Sequence, residues 1–261
     1  MVTIHPTAIV HPDCKMGQDV TIGAYSVIGE HVVLGDGVNI HPHVMVEGRT
    51  NIGEKTEIFQ FSSIGSQPQD LKYNGEPSRL EIGTNCRIRE HVTINTGTEG
   101  GGMLTRVGNH CLIMTGSHIA HDCQVGNHVI FVNNATLAGH ATVGDHAILG
   151  GISAVHQFVR IGEHAFVGGM SGVEHDVIPY GSVIGNRARL GGLNLVGLRR
   201  RDIDKADIHS LRNAYAQLFI EEGSFQERVD QVSESYPDSP LVKNMIDFIR
   251  AGNGRRICMP R

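Results

Sequence analysis

An aliphatic residue recurs every six positions from Ile4, at Val10, Met16, Ile22, Ile28, Leu34, Ile40, Val46, Ile52, Ile58 and Ile64. The series resumes in phase at Ile82, Ile88 and Ile94 and then slips by one. It runs on unbroken through Val107, Ile113, Ile119, Val125, Phe131, Leu137, Val143, Leu149, Val155, Ile161, Val167 and Val173. Four residues after each marker, outside the first interruption, stands a small or β-branched residue, as at Ala8, Cys14, Val20, Ser26 and Ser171. Glycine follows the marker in half of the repeats, for example Gly17, Gly23, Gly29, Gly126 and Gly162, which suggests corners that need positive φ. No two-residue reversal is encoded within these repeats, so they cannot be hairpins. The pattern predicts a coil of three flat faces, about 18 residues per turn, with parallel strands stacked ~4.8 Å apart.

Residues 66–81 (SQPQDLKYNGEPSRLE) and about 98–106 (TEGGGMLTR) interrupt the period. Both are polar and rich in Gly or Pro, and read as loops thrown out from the prism where substrate contacts commonly sit. Beyond the last marker the period becomes helical, with Ile208, Leu211, Tyr215, Leu218 and Phe219 on one apolar face. Ser224 and Glu227 form a capping box ahead of Phe225, Val229 and Val232. Ser239-Pro240 opens a last helix with Val242, Met245 and Ile249 inward, closed by Gly252. The expected organisation is a mainly β coil over 1–186 and a helical part over 187–261 that covers one open end of the prism.

Composition narrows the functional classes. The chain has no Trp and 5% aromatic residues, which argues against stacking platforms for nucleic acid. A net charge of -5 disfavours a polyanion partner. No apolar run approaches ~18 residues, so no transmembrane segment is expected. The N-terminal stretch lacks a basic start followed by an apolar run, so no secretory signal is visible. Of five cysteines, Cys14, Cys86, Cys111 and Cys123 fall on the small core position, as expected of reduced thiols in a cytoplasmic protein.

Histidine, at 16 residues, is the surplus. His110, His128, His146 and His164 lie 18 apart and should stack outward along one corner. His121 departs from that rule, standing two residues after its marker. One coil above it is Gly139 and one above that Gln157, with His118, Asp122, His140 and His156 alongside. A glycine gap over one imidazole, with polar groups converging on it, suits a reacting hydroxyl and carbonyl. Asp122 follows His121 directly; spacing does not guarantee contact between them, but a carboxylate in contact with the imidazole would set its tautomer and raise its basicity. No serine or cysteine nucleophile is evident, which favours general-base catalysis over a covalent enzyme intermediate.

The strings QDLKYNGEPSR, HIAHDCQVGN, NNATLAGH, GGISAVHQF, GGMSGV and RNAY, in that order, resemble the UDP-N-acetylglucosamine 3-O-acyltransferases of lipid A biosynthesis over essentially the whole chain. The resemblance implies a left-handed parallel β-helix with a C-terminal α-helical part, assembled as a homotrimer with sites between subunits. It implies transfer of a 3-hydroxyacyl chain from acyl carrier protein to the sugar 3-hydroxyl, with no cofactor and no metal. His121 is then the general base, Asp122 its support, and the Gly139 amide the donor to the oxyanion. His118, His140, His156 and Gln157 would position sugar and acyl chain, and Gln69, Asp70 and Lys72 would reach sugar and phosphates. Asn194, Arg200 and Arg201 would hold the nucleotide, although Val196 stands where the family often has glutamate near the nucleoside. Gly169 would floor the acyl groove, and its small size implies a longer chain. Arg199-Arg200-Arg201 with Arg187 and Arg189 also offers a basic patch to an acidic carrier protein.

Three other readings compete. A zinc enzyme of the γ-carbonic anhydrase kind would use His118, His121 and His140. A non-catalytic β-helix scaffold leaves the polar cleft without a purpose. The related N-acyltransferase of the same pathway carries a domain ahead of the helix, whereas the repeats here begin at Ile4. Whether the acceptor presents a hydroxyl or a 3-amino group is not written in the residues.

Overall fold

Most markers end a two-residue strand in the computed structural model, which describes residues 1–220, 222–252 and 254–260; Ile52, Ile64, Ile82, Ile94 and Val107 lie in strands of three or four residues. Thr3–Ile4 begins the first face, Ile9–Val10 the second and Lys15–Met16 the third. The chain then returns to the first face at Thr21–Ile22, paired in register with Thr3–Ile4. The three faces hold 11, 9 and 8 strands. Markers from Ile22 onward are almost wholly buried, whereas Ile4 is 41% exposed because nothing covers the first coil. Cys14, Cys86, Cys111 and Cys123 are buried at the small positions, as the spacing predicts.

The corner glycines are needed for a reason other than the expected one. Gly17, Gly23, Gly29, Gly126 and Gly162 are not in the left-handed region; that conformation falls two residues later, at side-chain-bearing residues such as Tyr25, His43, His110, Asp122 and His146. Asn, Asp and His tolerate it comparatively well. Glycine instead permits close approach of the next coil: a Cβ at Gly23 would lie 2.5 Å from the Pro42 nitrogen, and one at Gly162 2.3 Å from that of Pro179. Stacking at strand spacing leaves no room there for a methyl group.

Both loops are shorter than the interruptions in the pattern. Strands Ser63–Ser66, Arg79–Ile82 and Leu104–Val107 extend the second and third faces into them. The excursions are therefore 67–78 and 96–103. The helical part also starts later than residue 187. Arg189–Leu193 is a strand, antiparallel to Gly181–Ile184 on the end of the first face. This ribbon closes the last coil, and its glycines Gly191 and Gly192 disfavour helix.

Four helices follow: α1 (Leu195–Arg200), α2 (Lys205–Ile220), α3 (Phe225–Ser235) and α4 (Pro240–Arg250). The capping box is present, with the Ser224 hydroxyl accepting the Glu227 N–H and the Glu227 carboxylate accepting the Ser224 N–H. Leu211, Leu218, Val229, Val232, Val242, Met245 and Ile246 form the buried seam. Ile246 takes the central place expected of Ile249, which is only half-buried. The tail returns to the coil through Asp176. Its backbone bridges Ile257, and its fully buried carboxylate accepts the Arg160 Nε–H at 2.7 Å.

Candidate active site

The corner between the second and third faces gathers the candidate chemistry. In each coil this corner presents the residues at one, two and three positions after the second-face marker. Column two reads His121, Gly139, Gln157 and His175, and column three Asp122, His140, Phe158 and Asp176. His121 Nδ1 lies 2.8 Å from Asp122 Oδ2, so the N–H donates to the carboxylate and leaves the Nε2 lone pair free. Asp122 itself is fully buried. The His121 ring lies flat against Gly139, where a Cβ would come within 2.6 Å of Nε2.

The second loop holds the carboxylate, which sequence reasoning missed. The Thr98 N–H donates to Asp122 Oδ1 at 2.8 Å, and its hydroxyl to Oδ2 at 2.6 Å. The Asp122 N–H donates in turn to Thr105 Oγ1 at 2.7 Å. Gly101 lies so close over the carboxylate that a Cβ there would stand 1.9 Å from Asp122 Cγ. The Gly100-Gly101-Gly102 run was the available signal, because such a run marks backbone approaching another group. Hydrogen bonds to a buried carboxylate from both N–H and O–H stabilise its charge and fix its direction.

Around the dyad, His140 meets His121 edge-on at 5.0 Å and stacks on Phe158 at 4.4 Å. His118 Nδ1 is paired with Thr93 Oγ1 at 2.7 Å. Burial pushes the His118 and His140 imidazoles below their ordinary range, the nearby His121 adding to the effect in both. They are therefore neutral near pH 7. His156 and Gln157 are exposed in the coils above. The first loop approaches from one side: the charges of Asp70 and Lys72 act on His140. Gln69 is exposed on the same loop. Glu76 stiffens it by accepting the Asn74 N–H at 2.8 Å and reaches the second loop through the Glu99 N–H at 3.1 Å.

At the corner between the third and first faces the N–H two residues after the marker, as in Gln18, Asn109 and Asn127, donates to a side chain one coil above, at 2.7–2.8 Å. Among the described residues no such acceptor meets the Gly139 N–H, although the residue is buried. A buried unpaired N–H is costly and rare.

Asn194, Arg200 and Arg201 are not brought to this corner. They lie at the corner between the third and first faces, over the predicted histidine ladder, which stacks at 4.7–4.8 Å. Arg201 Nη1 lies 2.6 Å from His146 Nδ1. Asn194 caps α1 by accepting the Gly197 N–H and donates to the His164 carbonyl. Val196 is 58% exposed beside them. Gly169 occupies the corner between the first and second faces, where a Cβ would meet the Gly151 carbonyl at 3.3 Å and its N–H nitrogen at 4.0 Å.

A zinc site of His118, His121 and His140 is not assembled. Among the described residues the group able to share an ion is His121, Asp122 and His140, and His118 commits Nδ1 to Thr93. Asp122 Oδ2 already accepts two hydrogen bonds. These residues fit a hydrogen-bonded dyad better than a zinc cage. The described residues include no helix long and apolar enough to cross a membrane.

Residues 176–258 match the family model described as Udp N-acetylglucosamine O-acyltransferase, domain 2. Residues 13–48 and 104–139 match the bacterial transferase hexapeptide (six repeats) model. A Caulobacter vibrioides relative named acyl-[acyl-carrier-protein]--UDP-N-acetylglucosamine O-acyltransferase is 53% identical over 259 residues, covering 99% of this chain and 98% of its own. A Rickettsia felis relative of the same name is 58% identical over 255 residues, covering 98% and 97%. The solved UDP-N-acetylglucosamine acyltransferase from Campylobacter jejuni superposes with a TM-score of 0.92 at 38% identity, covering 99% of both chains. The shared fold is the left-handed parallel β-helix with its C-terminal helical part. With fold, repeat and tail matched along almost the full length, the chain is an acyltransferase and belongs to the acyl-[acyl-carrier-protein]--UDP-N-acetylglucosamine O-acyltransferase family.

Proposed function

We propose that this protein transfers a 3-hydroxyacyl chain from the thioester of acyl carrier protein to the glucosamine 3-hydroxyl of UDP-N-acetylglucosamine, the first step of lipid A biosynthesis, in the cytoplasm. The observation that carries the mechanism is the dyad: His121 donates Nδ1–H to a buried Asp122, and Nε2 lies beside Gly139. His121 Nε2 removes the proton from the sugar hydroxyl as its oxygen attacks the thioester carbonyl. The Gly139 N–H donates to the oxyanion, and one such donor lowers the barrier by ~3 kcal/mol. Collapse breaks the carbon–sulfur bond, and the carrier thiolate takes the proton back from the imidazolium. Asp122 stabilises that imidazolium and remains a carboxylate throughout.

The thiols support direct transfer. All five cysteines are buried. Burial pushes Cys123 up to about 12 and Cys258 up to about 11, so neither is a nucleophile at neutral pH. Neutral His118 and His140, with His156, Gln157, Gln69, Asp70 and Lys72, line the approach to Nε2 and position sugar, phosphates and acyl chain. Asn194, Arg200 and Arg201 lie on a different corner of the same prism. They serve a nucleotide bound at His121 only from a neighbouring copy, which supports a homotrimer with sites between subunits. Open space beside Gly169 supports a long acyl chain.

The test is acyl transfer from a panel of 3-hydroxyacyl carrier proteins to UDP-N-acetylglucosamine, analysed by product mass, for wild type and His121→Ala. Product from wild type with at least ~100-fold loss in the variant is expected. No product with any donor would redirect the reading to a 3-amino acceptor sugar and then to metal analysis.

A further inference from the structure

A cavity of about 650 Å³ opens between the last coil and the helical part. It is flanked by His175, which stands three coils above His121 along the same corner, about 14 Å away at ~4.8 Å per coil. Its floor is apolar, made by Phe225 and Val229 of α3, Ile249 of α4 and Ile257 of the terminal segment. Its rim is cationic: Arg187, Arg189, Arg250, Arg255 and Arg256 face one carboxylate, that of Glu174. Arg250 is held by Asp230 at 2.8 Å, Arg255 lies 3.5 Å from Asp176, and Arg187 is 4.0 Å from Glu174. Among the described residues Arg189 and Arg256 have no ion-pair partner. On a chain whose net charge is -5, such a local excess of guanidinium calls for an anion.

We propose that this cavity binds a single-chain anionic amphiphile, an alkyl phosphate or acyl carboxylate. The head group meets the guanidinium groups of Arg189 and Arg256, whose planar fork matches carboxylate and phosphate oxygens. The chain lies on Phe225, Val229, Ile249 and Ile257. The volume is that of a small-molecule site, and a mostly apolar lining with a few directed polar groups is the usual composition of one. A nucleic acid would need a longer basic track and more aromatic surface than the single Phe225 supplies. None of its residues touches the His121 dyad, although Arg187 and Arg189 also belong to the basic patch expected to meet the carrier protein.

The test is calorimetric titration of the full chain with dodecyl phosphate below its micelle-forming concentration. Inorganic phosphate and the uncharged dodecyl maltoside serve as controls, and Arg256→Ser and Gln226→Trp as variants. Gln226 lines the cavity from the exposed side of α3, so tryptophan there fills the space without replacing a buried residue. Dodecyl phosphate should saturate one site per chain, weakened at least about tenfold in both variants, and myristate should compete for it. Equal binding of the maltoside would remove the cationic half of the argument, and equal binding of inorganic phosphate the apolar half. A titration unchanged in both variants overturns the proposal. So does a site that gives no heat with dodecyl phosphate and is filled only by an acidic protein.

Discussion

Gly139 leaves open the space that the His121 ring fills: an added Cβ would stand 2.6 Å from Nε2 and 2.5 Å from Cε1. Ordinary contact begins near ~3.5 Å, so in Gly139→Ala the ring must retreat by about 1 Å. It has little freedom to do so, because Nδ1 is tied to Asp122 at 2.8 Å and Asp122 is tied to Thr98. Alanine adds no backbone strain, since φ at this residue is not left-handed. A displacement of this size at a reacting group costs ~100-fold in rate, while overpacking by one methyl costs about 1–3 kcal/mol of stability. Steady-state kinetics should therefore show kcat down ~100-fold with KM for the UDP-sugar within about threefold. Gly151→Ala is the control, because its Cβ would find nothing closer than 3.4 Å, and it should retain wild-type rates. A fully active, folded Gly139→Ala protein would refute both the placement of the ring and the role assigned to it.

Thr98→Val keeps the N–H bond to Asp122 and removes the hydroxyl bond to Oδ2. A hydrogen bond to a charged group is worth ~1.5–3 kcal/mol, so the melting temperature and kcat should both fall, and Thr98→Ser should restore them; unchanged kinetics would detach the second loop from the dyad. Gly169→Met should shift the product spectrum toward shorter acyl chains, read by mass, and an unaltered spectrum would remove Gly169 from the groove. Burial, with His146 and Arg201 adding to it, pushes His164 from 6.5 down to about 4. Between those values the unfolded chain binds the extra proton, so stability present above pH 6.5 is lost as the pH falls toward 4. Asparagine suits the φ of 54° at this position, so His164→Asn should lose less melting temperature between pH 7 and pH 4.5 than wild type; parallel losses would clear His164.

The coil was legible because one rule, an aliphatic residue at every sixth place, is enforced by a prism with no space for a polar group. The same count put Gly139 over His121 and stacked His110 on His128, since vertical neighbours follow from arithmetic once the turn is known. What spacing could not supply was contact between segments out of phase. Thr98 reaches Asp122 from an excursion whose path has no period, and the Arg201–His146 contact depends on how α1 folds back. Nor could counting tell why glycine recurs after the markers, because close approach and left-handed φ leave the same letter in the sequence. Asn194 and Arg201 were assigned together with His121 by likeness alone, and a single prism holds them on different corners.

The in-register return of the chain, Thr3 to Thr21 at one end and Ala154 to Gly172 at the other, gives every side chain an address made of a face and a storey. Deleting six residues between Val125 and Thr136 would move Gly139, Gln157 and all that follow by about a third of a turn relative to His121. Inserting 18 would instead return them to the same face, one storey higher. Within the coil, the excursions at 67–78 and 96–103 lie outside this addressing, leaving and rejoining it without altering the count above them. Growth or shrinkage of such a chain is thus confined to whole storeys or to those two balconies, and the first of them is where specificity can change while the dyad keeps its place, since the second holds Asp122.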